Sequence, residues 1–224
     1  MSEVLVRATG LGREFGNGHS AVVAVADGTF EIRQGDRIAL TGPSGSGKTS
    51  LLHLIAGLDQ PSGGVIEWPA LGRAEDLRPG PVALAFQGPS LLPPLTVAEN
   101  VALPALLAGT AEATAAAAAQ ALIEQLGLAD VASKLPEEIS GGQAQRAGVA
   151  RALMGEPRLI LADEPTGQLD RAAAAGLMDM LFRHVEAAGT ALVVATHYQA
   201  VAGRLPLRWT MTGRILQTGA SCSL

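Results

Sequence analysis

Four short apolar runs stand out along the chain: Ile38–Thr41 (IALT), Val82–Phe86 (VALAF), Arg158–Ala162 (RLILA) and Thr190–Thr196 (TALVVAT). Continuous apolar runs of this length, bounded by glycine, proline or polar residues, read as strands buried on both faces. The first and the last two each run into a helix-like segment. Strands alternating with helices predict an α/β fold with a mostly parallel sheet. Both ends of the chain differ. Val4–Ala8, Val22–Ala26 and Thr29–Arg33 read as an antiparallel β flap, with Gly35-Asp36 as a turn. Residues 207–218, LRWTM-TG-RILQT, read as a closing hairpin.

The middle, from about Gly88 to Ala152, has no convincing strand. Residues 111–127, AEATAAAAAQALIEQLG, read as a helix with Thr110 near its start and Gly127 past its end. The alanine run is a helix former, not a disordered tract. Residues 139–148, ISGGQAQRAG, open a second helix. The expectation is one domain, 1–224. Its core is 1–87 and 153–224, and an α-helical subdomain, about 88–152, is inserted between two of its strands. No internal repeat is found.

Composition narrows the class. The 224 residues, 48% hydrophobic, suffice for one large core or a core with a small lobe. The mean hydropathy of +0.27 comes mostly from scattered alanine, and no stretch approaches 18 apolar residues, so no transmembrane helix is expected. The N-terminus, MSEVLVRATG, has no signal-peptide core. A net charge of −5 argues against a general nucleic-acid binder. The single cysteine, Cys222, excludes a disulfide framework and fits a reducing compartment. The expectation is a soluble cytoplasmic protein unless a partner holds it at a membrane.

Gly42-Pro43-Ser44-Gly45-Ser46-Gly47-Lys48-Thr49 has the pattern G-x-x-x-x-G-K-[ST], after a predicted strand and before the apolar segment SLLHLIAG. That context makes it a phosphate-binding P-loop. Backbone N–H groups and a helix N-terminus face phosphate oxygens. Lys48 reaches the terminal phosphates, and the Thr49 hydroxyl can hold Mg²⁺. The chain has fourteen arginines and only two lysines, Lys48 and Lys134. A compact ammonium is what a tight cradle admits, and a guanidinium fork is not equivalent.

Leu159–Pro165, LILADEP, is an apolar strand ending in two acids. Asp163 is placed to face the P-loop and hold Mg²⁺, and Glu164 to act as general base for a water attacking a γ-phosphate. Gln87, His197 and Asp170 also fall shortly after predicted strands, the region where open α/β sheets bind ligands. Ser140 and Gln143 satisfy an S-x-x-Q capping box. The box does not explain Gly141 and Gly142, each costing roughly 1 kcal/mol in a helix against alanine.

Taken together, these segments resemble the ATP-binding subunits of ABC transporters over essentially the whole chain. GPSGSGKT is similar to the Walker A loop and LILADEP to Walker B. Gln87 falls at the Q-loop, GQLD (167–170) at the D-loop, His197 at the H-loop, and ISGGQ (139–143) at the signature, with Ile for Leu. The resemblance implies ATP and Mg²⁺ as cofactors. ATP is held by Gly42, Pro43, Ser44, Gly45, Ser46, Gly47, Lys48, Thr49 and Ser50, with Phe15 stacked on adenine. Mg²⁺ is held by Thr49, Gln87 and Asp163. Glu164, His197, Lys48 and Gln87 serve catalysis. In the family two copies pair head-to-tail, so Ser140, Gly141, Gly142 and Gln143 of one copy close over the ATP of the other, and Asp170 also binds ATP. The bare glycines let the helix N-terminus approach its γ-phosphate.

Departures are few. Thr49-Ser50 follows Lys48 where the family usually has S/T-T, Gln168 replaces a frequent Asn, and Tyr198 a common Asp. The segment RAEDLRPGPV (73–82) is short and proline-containing. Residues 57–68 and 86–109 are most similar to the branch containing LolD, MacB and FtsE, whose members extrude or extract lipoproteins, antibiotics and peptides or relay force. The implied partners are an integral-membrane permease and a second copy of the chain, on the cytoplasmic face of the membrane, with no nucleic acid. Ser90–Leu95 is either the permease contact or packing within the lobe. The alternatives are an importer ATPase or a soluble non-transport ABC ATPase. Against the second, the chain has no room for a long coiled coil and carries one cassette.

Overall fold

The computed structural model describes residues 2–219 apart from Asn17 and Pro89, and only the backbone of His19. Cys222 lies outside the described residues. The chain opens with β1 (Val4–Phe15), β2 (Val22–Val25), β3 (Phe30–Arg33) and β4 (Arg37–Thr41). Then come α1 (Lys48–Ile55), β5 (Gly63–Glu67) and β6 (Val82–Ala85). The helices α2 (Val97–Leu107), α3 (Glu112–Gln125) and α4 (Gly141–Leu153) follow. The chain continues through β7 (Leu159–Asp163), α5 (Arg171–Ala188), β8 (Ala191–Ala195) and α6 (Gln199–Ala202), and closes with β9 (Leu207–Thr212) and β10 (Ile215–Gly219).

Six strands form one sheet in the order β10-β9-β4-β8-β7-β6, parallel except for the β9–β10 hairpin. A smaller antiparallel sheet is built on β1, which pairs with β2, β3 and β5. The expected α/β core, β flap and closing hairpin are present.

The apolar runs are continuous because both faces of the large sheet are covered. Side chains alternate between the faces. Ile38, Leu40, Leu159, Leu161 and Val193 pack with α1 and the antiparallel sheet. Ala39, Ile160, Ala162, Leu192 and Val194 pack with α5 and with α4 and the rest of the helical lobe. The lobe therefore has no core of its own. Val101 of α2, Ile123 of α3 and Ala147 of α4 join the same cluster as the sheet face. An alanine-rich surface suits this close packing of helix on helix and helix on sheet.

Three features go beyond the sequence reading. β1 runs on from Ala8 to Phe15. Gly63–Glu67 is a strand although its side chains are largely exposed, because it pairs with the edge of β1. Val97–Leu107 is a helix despite Pro104, and a complete capping box, Thr96 with Glu99, starts it.

Candidate functional site: the carboxyl edge of the parallel sheet

Parallel pairing aligns the ends of four strands at one edge. Ala85 lies beside Ala162, Asp163 beside Ala195, and Ala195 beside Leu40. The loop after β4 is Gly42–Gly47. Gly47 has φ of 101°, and a Cβ there would lie 2.0 Å from the Ala24 carbonyl oxygen. Only glycine lets the loop press so closely on β2. A cavity of about 300 Å³ opens between them, lined by Phe15, Val22, Ala24, Lys48, Ser50 and Arg214 among others. The helix α1 starts at Lys48 with no side-chain cap. Its first-turn N–H groups are the donors that a phosphate would satisfy.

Lys48 is buried, and its Nζ donates to the carbonyls of Gly42 at 2.9 Å and Pro43 at 3.0 Å. The Thr49 hydroxyl donates to Asp163 Oδ2 at 2.6 Å. Burial pushes the Asp163 carboxyl above its ordinary range. The Thr49 hydrogen bond opposes that rise and the neighbouring Glu164 charge adds to it. Glu164 is also buried, with φ of 47°, a strained value for a non-glycine residue. Its Oε1 accepts from the backbone N–H of His197 at 3.1 Å and faces Nδ1 of the same residue at 2.8 Å. The His197 side chain is 72% exposed and that of Glu164 only 11%, so the histidine caps the carboxylate from the solvent side.

Ser44 and Gly45 are exposed in the loop, and the Ser46 hydroxyl is buried without a hydrogen-bond partner among the described residues. Gln87 follows β6 at the same sheet edge, exposed. Phe15 lines the cavity with the Arg13 guanidinium 4.4 Å over its ring.

Within one chain the signature is apart from this cavity, whose lining contains none of Ser140–Gln143. Ser140 Oγ accepts from Gln143 N at 3.2 Å, and Gln143 Oε1 from Ser140 N at 2.9 Å, completing the capping box. The glycines face the loop after β7. A Cβ on Gly141 would lie 2.6 Å from Gln168 Oε1, and one on Gly142 3.1 Å from Leu169 Cδ2. Asp170 caps α5, accepting from Ala173 N at 2.8 Å.

Three residues escaped the sequence reading. Arg214 reaches the cavity from the β9–β10 turn, and nothing local marks it. Asn100 is fully buried and bonds through its side chain to Leu92, Leu95 and Thr96, shaping the segment 90–95. Its amide pins backbone, so Leu91 turns in while Leu92 stays 43% exposed. Gln145 donates to the Glu164 carbonyl at 3.2 Å. Its signal was a polar residue heading the stripe Gln145, Val149, Ala152 at helical spacing.

Comparison with known proteins fixes the class. The ABC transporter family profile matches residues 25–167. The lipoprotein-releasing system ATP-binding protein LolD of Legionella pneumophila (strain Paris) is 39% identical over 212 residues, 92% of this chain and 93% of its own. LolD of Shewanella oneidensis is 35% identical over 228 residues, 99% of each chain. Among solved structures, a dimeric post-hydrolysis state of the ATP-binding cassette MJ0796 bound to ADP and Pi aligns with a TM-score of 0.90 at 28% identity, over 98% of this chain and 100% of that one. A dimeric structure of MJ0796 as a bacterial ABC transporter cassette aligns with the same score and coverage. This chain belongs to the ABC transporter family, in which it is an ATP-binding, ATP-hydrolysing subunit. No helix among its described residues is long and apolar enough to cross a membrane.

Proposed function

We propose that two copies of this chain close head-to-tail around two ATP molecules and drive a membrane permease of the lipoprotein-releasing type from the cytoplasmic face. The observation that carries the chemistry is the meeting of Thr49 and Asp163 at 2.6 Å, 114 positions apart, beside the buried ammonium of Lys48. A hydroxyl and a carboxylate are hard oxygen donors that suit Mg²⁺, which takes few protein ligands beside substrate phosphates. The described residues include no cluster of three or more His, Cys, Asp or Glu that would suit a transition metal instead. Thr49 and Asp163 would hold the ion, with Gln87 arriving from the next strand end. Bound there, Mg²⁺ supplies charge neutralisation of the β- and γ-phosphates.

The protein's own groups do the rest. Lys48 exchanges loop carbonyls for phosphate oxygens. Glu164 takes a proton from the attacking water as its oxygen bonds to the γ-phosphorus. The bond from that phosphorus to the bridging oxygen breaks, and ADP leaves with that oxygen. His197 holds the carboxylate in line. Ser140, Gly141 and Gly142 of one copy meet the γ-phosphate bound by the other. Hydrogen bonds to charged groups are worth roughly 1.5–3 kcal/mol each, so ATP holds the pair together and hydrolysis loosens it.

The permease reading is supported by an apolar cavity of about 450 Å³ between β6 and the helical lobe. Leu58, Phe86, Leu92 and Leu107, all exposed, line it. Grouped exposed apolar side chains of this kind mark interaction surfaces. Lipoproteins as cargo rest on the LolD relatives. The test is tagged Glu164→Gln expressed in the native host with ATP and Mg²⁺. We expect retained ATP binding, nearly abolished turnover, a trapped dimer and a co-purifying permease. Turnover at the normal rate sinks the base assignment. A protein absent from membranes, or found only with soluble partners, sinks the permease assignment and leaves the ATPase standing.

A further inference from the structure

We infer that Gln145 is a positioning residue that couples the signature helix to the Glu164 carboxylate. The inference rests on the proposed role of Glu164 as general base. Gln145 lies in the second turn of α4, two residues past the capping box, and is 4% exposed. Its Nε2 donates to the Glu164 main-chain carbonyl at 3.2 Å, across 19 positions of sequence. The same carbonyl accepts from Gly167 N at 3.0 Å. Two donors from different elements thus converge on the peptide of the residue whose φ is 47°. A backbone in that region persists only where its surroundings hold it.

The other end of the amide argues against a packing role. Gln145 Oε1 is buried with no hydrogen-bond partner among the described residues. A half-satisfied buried amide is a cost that an apolar side chain of the same shape avoids. The position keeps a glutamine although its core neighbours on the helix, Ala144 and Val149, are apolar. What the amide adds is the bond to Glu164.

The loop after β7 touches α4 twice. Gln145 holds Glu164 at one end, and Gln168 and Leu169 pack on Gly141 and Gly142 at the other. A shift of the helix N-terminus, as when it meets the γ-phosphate bound by a second copy, therefore moves both ends of the loop. The carboxylate is carried on the held peptide and is aligned by engagement of the signature. A misplacement of about 1 Å at a reacting group can cost on the order of 10²-fold in rate.

The test compares Gln145→Met and Gln145→Glu, which keep the shape and lose the N–H donor, with Glu164→Gln and the double variant Gln145→Met/Glu164→Gln. Readouts are steady-state ATP hydrolysis, melting temperature and ATP-dependent dimerisation by size-exclusion chromatography. We expect kcat to fall about ten- to hundred-fold in both Gln145 variants with KM for ATP unchanged. We expect the double variant to dimerise with ATP as fully as Glu164→Gln alone. A kcat within twofold of wild type in a folded Gln145 variant overturns the inference. So does loss of ATP-dependent dimerisation in the double variant, because the residue then builds the interface. Failure of both Gln145 variants to fold assigns the residue to the core. Normal turnover in Glu164→Gln is a separate result that removes the base reading and this inference with it.

Discussion

The P-loop and the signature are both glycine-rich segments at helix N-termini, yet the structure treats them in opposite ways. The P-loop glycines are demanded by the chain's own backbone. A Cβ at Gly47 meets the Ala24 carbonyl at 2.0 Å, and one at Gly42 meets the Met211 carbonyl at 2.5 Å. The helix that follows has no side-chain cap, so its amides are offered to a ligand within one chain. The signature helix is closed by its own capping box. The atoms closest to a Cβ on its glycines are the tips of two side chains, Gln168 at 2.6 Å and Leu169 at 3.1 Å, with the Gln168 carbonyl at ordinary contact distance, 3.5 Å from a Cβ on Gly142. One segment lines a cavity within a single copy. The other is presented outward, as expected if its ligand is held by a second copy.

The sharpest break of this comparison is Gly47→Ala against Gly141→Ala. At Gly47 loop and flap must part, so we expect ATP binding to be lost and the melting temperature to fall. At Gly141 the Gln168 side chain can swing away, so we expect a fold near wild type and a weakened ATP-dependent dimer. Isothermal titration and thermal melting separate the two. Equal loss of stability in both would erase the distinction.

A second test uses two capping boxes of the same kind. Ser140 and Thr96 each accept from the backbone three residues on, and each is answered by a side chain at that position. Removing either cap costs about 1 kcal/mol of stability. If the signature serine were a cap alone, Ser140→Ala and Thr96→Ala would behave alike in chemical denaturation and in dimerisation. We expect them to match in denaturation and to differ in dimerisation, with only Ser140→Ala losing affinity for its second copy in ATP.

The smallest effect is expected at the far wall of the cavity. An aromatic stack is worth about 0.5–1.5 kcal/mol beyond area burial. Phe15→Leu should therefore weaken ATP binding only about three- to ten-fold, leaving kcat near wild type. An unchanged dissociation constant would remove Phe15 from the nucleotide site and leave it a partner for Arg13 alone.

Much of the site was legible because its chemistry is local in sequence. A strand, a glycine loop, a lysine and a helix follow one another from Arg37 to Ile55, and an apolar strand delivers Asp163 and Glu164 side by side. The family signature added the second copy. The residues that were missed act through distant neighbours. Arg214 sits on a turn with no distinguishing pattern and reaches the cavity because the closing hairpin folds beside the flap, where Ala26 N donates to its carbonyl at 2.8 Å. Asn100 lies inside an apolar helix, and its value appears only when the loop at Leu92–Thr96 wraps around it.

The sequence by itself determined the strands of the parallel sheet, the cap that starts α4, and the candidate phosphate cradle. These follow from hydrophobic runs and side-chain chemistry within a few residues. Tertiary structure decided the rest. Gly63–Glu67 is a strand only because the edge of β1 offers hydrogen bonds to an otherwise exposed segment. The lobe belongs to the core because its alanines pack on one face of the sheet. Gln145 matters because folding brings its amide to the Glu164 carbonyl. Contacts between positions far apart carry no periodicity along the chain, so only the packed fold reveals them.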